Sequence, residues 1–98
     1  MQITSTTLGR EDHGIFTAFL TLEGDSIGVG FGGYVFTDSS GFGIAFIDGV
    51  LSALGVSRWE KLPGTYLRAE FDGGRVVRIG HITKDRWFDP KELAERYT

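Results

Sequence analysis

Residues 27–34 read I-G-V-G-F-G-G-Y, which is the pattern of a β-strand with one face stripped of side chains. Apolar residues and glycines alternate, so they point to opposite faces: Ile27, Val29 and Phe31 on one, Gly28, Gly30 and Gly32 on the other. Glycine weakens a strand, and three on one face predict that something lies close against this backbone. We expect a helix, an aromatic ring from a neighbouring strand, a partner protein or a flat ligand.

Period-2 patterns place two more strands before the glycine strand. Residues 2–8 and 15–22 alternate or are rich in β-branched residues, and the polar loop 9–14 separates them. Turn-forming residues at 23–26 lead into the glycine strand, which we expect to run to about residue 36. The first part of the chain therefore predicts three antiparallel strands.

A helical pattern follows. Residues 37–40 offer several helix-capping side chains, and apolar residues then recur at helical spacing up to Gly55: Ile44, Ile47, Leu51 and Leu54. The other side of this helix is also apolar, with Phe46, Val50 and Ala53, so we expect cover on more than one side. Residues 57–62 predict one further helical turn with Trp59 inward, ended by Pro63 and Gly64.

A hairpin and a short helix complete the chain. A two-residue turn at Gly73 and Gly74 would mix charged and apolar side chains on both faces, whereas a three-residue loop at 72–74 gives one apolar face. The second register pairs Leu67 with Ile79, Ala69 with Val77, Arg68 with Arg78 and Tyr66 with Gly80. Residues 89–92, D-P-K-E, predict a capped helix reaching Tyr97. The order is βββ-α-ββ-α, an α+β fold with a helix packed on one face of an antiparallel sheet of about five strands.

Composition limits the classes of function. The 98 residues, 41% of them hydrophobic, predict a single domain over residues 1–98 that folds unaided. The chain has no cysteine, and no stretch approaches the roughly 18 apolar residues that span a bilayer, so we expect a cytoplasmic protein without membrane contact. A formal charge of -3 makes broad nucleic-acid binding unlikely. We expect no cofactor.

Two arginines carry the most specific chemistry. In the register above, Arg68 and Arg78 face each other on the outer side of the sheet, and such a pair requires an anion. Glu70 on the same face can supply it internally, which is the favoured interpretation. The alternative is an acidic or phosphorylated partner, with Tyr66 beside the arginines to stack a ring.

A second polar group contains both histidines: Glu11, Asp12, His13, His81 and Asp85. These types can bind metal or transfer protons, but they lack a metal-ligand spacing and no nucleophile motif accompanies them. We therefore favour structural roles: Asp12 closing its loop by backbone hydrogen bonds and His81 satisfying a buried polar group. We predict no metal site and no catalytic residue.

Four segments resemble a group of small phage and prophage proteins: G-R-E-D-H-G-I-F-T-A-F-L (9–20), G-F-G-G-Y (30–34), W-E-K-L-P-G (59–64) and I-G-H-I-T-K-D-R-W-F-D-P (79–90). The resemblance covers most of the chain, although residues 23–29 are its least typical part. It implies a phage origin and no particular mechanism. Anti-CRISPR proteins and other inhibitors of bacterial defence share this compact, cysteine-free, mildly acidic profile.

The expectation is therefore a phage-encoded, non-enzymatic binding protein that interferes with a bacterial defence system in the host cytoplasm. Docking is expected through the glycine face (Gly28, Gly30, Gly32) or the Arg68/Arg78 face, with Tyr34 and Tyr66 as aromatic anchors. Two alternatives stay open: sequestration of a small anionic ligand such as a nucleotide, and a small enzyme using His13 or His81. The sequence does not choose between a monomer and a homodimer.

Overall fold

The computed structural model describes residues 1–36 and 41–97. Its elements, in chain order, are β1 (Gln2–Arg10), β2 (Phe16–Gly24), β3 (Ile27–Gly32), α1 (Phe42–Leu54), a 3₁₀ turn (Trp59–Lys61), β4 (Leu67–Asp72), β5 (Arg75–His81), β6 (Trp87–Phe88) and α2 (Pro90–Glu95). All strand pairs are antiparallel, and the predicted α+β class is confirmed.

The strands form two sheets rather than the one of about five strands that the sequence predicts. One sheet has the order β1-β2-β3 and the other β4-β5-β6. They meet at one corner, where Gln2 bridges Tyr66. There the amide of Ile3 donates to the Thr65 carbonyl at 2.9 Å, and the amide of Leu67 donates to the Met1 carbonyl at 2.9 Å.

The three predicted N-terminal strands are present, but the third is shorter than expected. β3 ends at Gly32 instead of residue 36, because Gly32 and Gly33 have φ of 107° and 82° and turn the chain out of the strand. β3 pairs only with β2, so it is the edge strand of its sheet.

Helix α1 lies over the inner face of the sheets. Its buried side consists of Phe42, Phe46, Val50, Ala53 and Leu54. Phe46 is fully buried, with its ring centroid 6.1 Å from that of Phe31 and 5.2 Å from that of Phe88. The expectation that α1 is buried on more than one side is wrong at Ile44, whose side chain is 78% exposed. The helix buries its phenylalanines instead, because they form the larger apolar face.

The ends of the helices differ in how they are capped. The residues predicted to cap α1, 37–40, lie outside the described part of the chain, and the cap position itself is Gly41, which makes no side-chain hydrogen bond. At α2 the cap prediction is confirmed: the Asp89 carboxylate accepts the amides of Lys91 at 3.0 Å and Glu92 at 3.2 Å. This helix ends at Glu95, two residues before the predicted end.

Neither α1 nor α2, the α-helices of the described residues, has the length and apolar character to cross a bilayer.

The predicted register of the β4–β5 hairpin is wrong. Asp72 pairs with Arg75 across a two-residue Gly73-Gly74 turn, in which both glycines have positive φ, 61° and 85°. Beyond the turn, Val77 is left unpaired as a β-bulge. Arg68 therefore faces Gly80 rather than Arg78, and Tyr66 no longer faces Gly80.

The bulge explains how a two-residue turn avoids mixing the faces. In a regular strand, Val76 and Ile79 would point to opposite sides, since they are an odd number of residues apart. The extra residue resets the alternation, so that Val76 opposite Phe71 and Ile79 opposite Ala69 both point inward. Ile79 is fully buried as a result.

Candidate functional site

The bare glycine face is covered in part by the protein itself. The ring of Phe19, on the neighbouring strand β2, lies over Gly30 so closely that a Cβ atom there would collide with it. At Gly32 the nearest group is the backbone, since a Cβ atom would stand 2.5 Å from the Ala18 carbonyl oxygen. Gly28 is open, with Glu23 Cγ the nearest atom at 3.9 Å. Of the covers that the sequence allows, an aromatic ring from a neighbouring strand is the one found at Gly30.

Two of these glycines and Tyr34 line one cavity of about 440 Å³ beside the free edge of β3, with Arg75 on its far side. Tyr34 is not a free aromatic anchor. Its ring centroid lies 5.8 Å from that of Phe42 and 5.7 Å from that of Phe46, so the ring belongs to the aromatic core beneath α1. Its carbonyl accepts a hydrogen bond from the hydroxyl of Thr17.

Arg68 and Arg78 are not opposite each other, but both contact Trp87. The guanidinium carbon lies 4.7 Å from the centre of the Trp87 ring for Arg68 and 4.4 Å for Arg78, both within cation–π range. Trp87 reaches across Gly80, where a Cβ atom would stand 2.6 Å from Cε3 of the indole. The absent side chain at Gly80 is what lets the indole lie between the two arginines in the sheet.

Both arginines already have internal partners. Arg78 forms an ion pair with Glu70 at 2.7 Å, as the favoured interpretation of the sequence proposes. Arg68 donates from Nε to the His81 carbonyl and from a terminal nitrogen to the Lys84 carbonyl, each at 2.7 Å. Arg68 therefore stabilises the turn between β5 and β6. Because both guanidinium groups already bind partners within the protein, few of their N–H donors remain for an external anion.

His81 organises the same turn. Its Nδ1 atom accepts the amide hydrogens of Thr83 at 3.1 Å and Lys84 at 3.0 Å, so Nδ1 must be unprotonated. Loss of hydration, followed by the nearby charges of Arg86, Lys84 and Arg68, lowers the pKa of His81. The sequence predicts that His81 satisfies a buried polar group; in the structure its partners are instead exposed amides of its own turn.

The second histidine lies in the β1–β2 loop. The carboxylate of Glu11, rather than that of Asp12, closes this loop by accepting the amide of His13 at 2.8 Å. The imidazole of His13 lies 3.4 Å from the same carboxylate, and its side chain is 84% exposed. Within residues 1–36 and 41–97, no three histidine, aspartate or glutamate side chains gather into a potential metal site, and Asp85 belongs to the β5–β6 turn.

A cleft of about 550 Å³ between α1, β6 and α2 combines aromatic and charged side chains. Trp87 and Tyr97 supply rings, and Arg78 and Arg96 supply cations. The carboxylates of Asp48, Asp89 and Glu92 line the same cleft and outnumber these cations. The cleft is therefore poorly suited to a small anion.

A different surface groups three exposed apolar side chains. Ile27, Tyr66 and Phe71 are 46%, 61% and 41% exposed, and they line one open cavity of about 610 Å³ where the β2–β3 hairpin meets β4. We call these three residues the tip patch. The Met1 side chain forms part of the cavity wall, close to Gly24.

The sequence singled out only Tyr66 from this patch. Ile27 shares its face with the core residues Val29 and Phe31, and Phe71 shares its face with the core residue Leu67, so both fit a buried role by alternation alone. Their nearness to turns was the available signal: Ile27 follows Asp25-Ser26 and Phe71 precedes Asp72-Gly73-Gly74. Apolar residues at hairpin tips can lie beyond the reach of a single packed helix.

Sequence comparison finds no match to this chain among protein-family models or curated proteins, and structural comparison finds no match among solved structures.

Proposed function

We propose that this chain is a non-enzymatic binding protein that acts by contacting another protein through the tip patch. The observation that carries the proposal is the grouping of Ile27, Tyr66 and Phe71, each at least 41% exposed, around one open cavity. Exposed apolar side chains grouped around one cavity are characteristic of interaction sites, and aromatic side chains are enriched at the centre of interfaces.

The positions of the histidines support a non-enzymatic role. The Nδ1 atom of His81 is engaged by two backbone amides of its own turn. His13 is exposed on a loop, and its carboxylate neighbour Glu11 closes that loop. A general base needs a positioned nucleophile or substrate proton within hydrogen-bond reach. The Thr83 hydroxyl lies 3.4 Å from Nδ1 of His81, but this nitrogen already accepts two backbone amides, and the group beside His13 is the Glu11 carboxylate.

The biological partner that we propose is a host protein, with a component of a bacterial defence system as the first candidate. The support is the resemblance of four segments to small phage and prophage proteins, together with the compact and mildly acidic character of the chain. In this role the protein would work in the bacterial cytoplasm and block its target by occupying a surface.

Sequestration of a small anion has weaker support. Arg68 and Arg78 have internal partners, and carboxylates outnumber cations in the cleft that contains Arg78. A panel of nucleotides tested by thermal shift would reveal this activity, since a ligand that binds the folded state raises the melting temperature as its concentration rises.

The experiment that tests the proposal is site-specific photo-cross-linking followed by reconstitution. A photo-reactive phenylalanine analogue is placed at position 66, and for comparison at position 13, which lies at the other end of β2 from the tip patch. Proteins from a bacterial lysate that cross-link only at position 66 are identified, purified and titrated against the wild type, Tyr66→Ala and His13→Ala.

We expect Tyr66→Ala to weaken this binding by about 30-fold, the loss of about 2 kcal/mol that is usual for a central aromatic residue. His13→Ala should leave the affinity unchanged, because this side chain is 84% exposed and remote from the patch. Equal affinities of all three proteins would show that the tip patch is not the binding surface.

A further inference from the structure

We infer that the surface recognised by the tip patch is a basic one: an apolar projection of the partner protein surrounded by lysine or arginine side chains. This inference rests on the proposed function and adds the chemistry of the partner. It comes from the charges around the patch, which are all of one sign among the side chains that line the cavity.

The rim of the cavity is acidic. Glu23 and Asp25 line it, both side chains are exposed, and no lysine or arginine side chain lines it. Within residues 1–36 and 41–97, neither carboxylate forms an ion pair. Asp72, next to Phe71 in the chain, is also exposed at the tip of the β4–β5 hairpin, but it stands opposite Arg75 and does not line the cavity.

Apart from Arg75, which stands opposite Asp72 at the hairpin tip, the arginines of the second sheet lie on other surfaces. Arg68 and Arg78 stack on Trp87 on the outer face of β4 and β5, and Arg86 lies beside Gly55 at the C-terminal end of α1. The charged side chains that line the apolar cavity are therefore carboxylates, while Arg68, Arg78 and Arg86 are held by contacts elsewhere in the protein.

The free-energy cost of removing water from these carboxylates determines which partners can bind this surface. When a partner covers Ile27, Tyr66 and Phe71, it also removes water from Glu23 and Asp25, and a carboxylate that loses water without gaining a cation is costly. A partner with lysine or arginine at its rim compensates for the loss, whereas an acidic partner adds repulsion. Phosphate backbones are rejected for the same reason, so the occupant is a protein surface rather than a nucleic acid.

The test uses defined peptide probes and paired charge variants. Two fluorescein-labelled peptides share a Leu-Trp-Leu centre and differ in their flanks, which are Lys-Arg pairs in one and Glu-Asp pairs in the other. Fluorescence anisotropy gives their affinities for the wild type, for Tyr66→Ala, for Glu23→Lys/Asp25→Lys, and for Asp12→Lys/Asp48→Lys. The last variant alters the net charge as much as the third, but its positions lie on the β1–β2 loop and on α1.

We expect the wild type to prefer the basic peptide by about tenfold or more at low salt, with the preference shrinking as salt screens the charges. Glu23→Lys/Asp25→Lys should reverse the preference, Asp12→Lys/Asp48→Lys should keep it, and Tyr66→Ala should weaken both peptides. Circular dichroism and melting temperatures establish that each variant is folded.

Three results would overturn the inference: equal affinities of the two peptides, no binding of either, or a basic preference that survives Glu23→Lys/Asp25→Lys. These outcomes are separate from failure of the proposed function. If Tyr66→Ala still abolishes binding of the cross-linked host protein while the two peptides bind alike, the tip patch is the binding surface and its acidic rim does not choose the partner.

Discussion

Gly32→Ala provides a sharp test of why β3 is rich in glycine. The φ of Gly32 is 107°, a conformation that residues with a side chain rarely adopt, and a Cβ atom at this position would lie 2.5 Å from the Ala18 carbonyl oxygen. That carbonyl cannot move away without cost, because it accepts the amide of Gly33 at 2.8 Å. The substitution therefore strains the backbone and displaces a hydrogen-bonded carbonyl.

The expected destabilisation follows from these two costs. A residue held at such a φ costs about 1–3 kcal/mol, and a weakened backbone hydrogen bond costs about 1 kcal/mol. The sum, about 3 kcal/mol, lowers the melting temperature of a domain of this size by about 12–24 °C. Urea unfolding followed by circular dichroism measures the change in free energy directly.

Gly28→Ala is the matched control on the same strand and the same face. Its Cβ atom would meet only Glu23 Cγ at 3.9 Å, an ordinary contact, so no loss is expected. A gain of about 0.4–1 kcal/mol is expected instead, because alanine restricts the unfolded chain. A Gly32→Ala protein within about 1 kcal/mol of the wild type, or equal losses for the two variants, would refute this account.

Three further predictions concern the second sheet. Unfolding free energy should fall as the pH drops below about 6.5, because the lowered pKa of His81 makes the unfolded chain bind the proton first. In urea unfolding, His81→Asn should flatten this dependence, and an unchanged slope would contradict its assignment to His81. Gly80→Ala should lower the free energy of unfolding by about 1–3 kcal/mol, because its Cβ atom would lie 2.6 Å from Trp87 Cε3. If that contact is the cause, the loss should be smaller when Trp87 is also replaced by alanine. Glu70→Gln should lower the free energy of unfolding by at most about 1 kcal/mol in low-salt thermal melts, since the ion pair with Arg78 is partly exposed. Salt screens such a pair, so a larger loss at high salt would contradict this account.

Strand β2 could be predicted from local pattern because it has one clearly buried face. In β2, Ala18, Leu20 and Leu22 are fully buried and alternate with Phe19 and Thr21, as the period-2 reading requires. The helix α1 was predictable in position but not in orientation. Both of its sides are apolar, and the inward orientation of Phe46 depends on rings from outside the helix: Phe31, Tyr34, Phe36 and Phe88.

On the glycine face, the sequence predicts the shared orientation of the glycines but not which group lies against each of them. Alternation alone establishes that Gly28, Gly30 and Gly32 share a face and that something must lie close to it. Which neighbour covers them depends on strand register, since Phe19 faces Gly32 directly and Gly30 diagonally. The same three glycines therefore have different causes: a ring over Gly30, a backbone conformation at Gly32 and open space at Gly28.

The β-bulge at Val77 is the step that local pattern failed to predict, and it decides the chemistry of the outer face. The signal was present as R-V-V-R at 75–78, in which two arginines three positions apart cannot share a face of a regular strand. With the bulge, Arg78 faces Glu70 and Arg68 faces Gly80, which leaves space for Trp87 between the arginines. Without it, the two-residue turn would place Arg78 opposite Ala69 and Arg68 opposite Ile79, with charged and apolar side chains mixed on both faces. The bulge thus keeps the arginines on the outer face without placing them opposite each other.

The exposed tip patch follows from the lengths of the elements. The 13 residues of α1 span about 20 Å, whereas a nine-residue strand such as β2 spans about 30 Å, so one helix cannot cover the inner face of two sheets. Part of that face must remain open at the hairpin ends. Polar residues at the opening would leave no apolar surface there to bury against a partner. The chain instead places Ile27 and Phe71 at the opening, with Glu23 and Asp25 beside them. This opening, with exposed apolar side chains and two carboxylates beside them, is the surface that we propose contacts the partner protein.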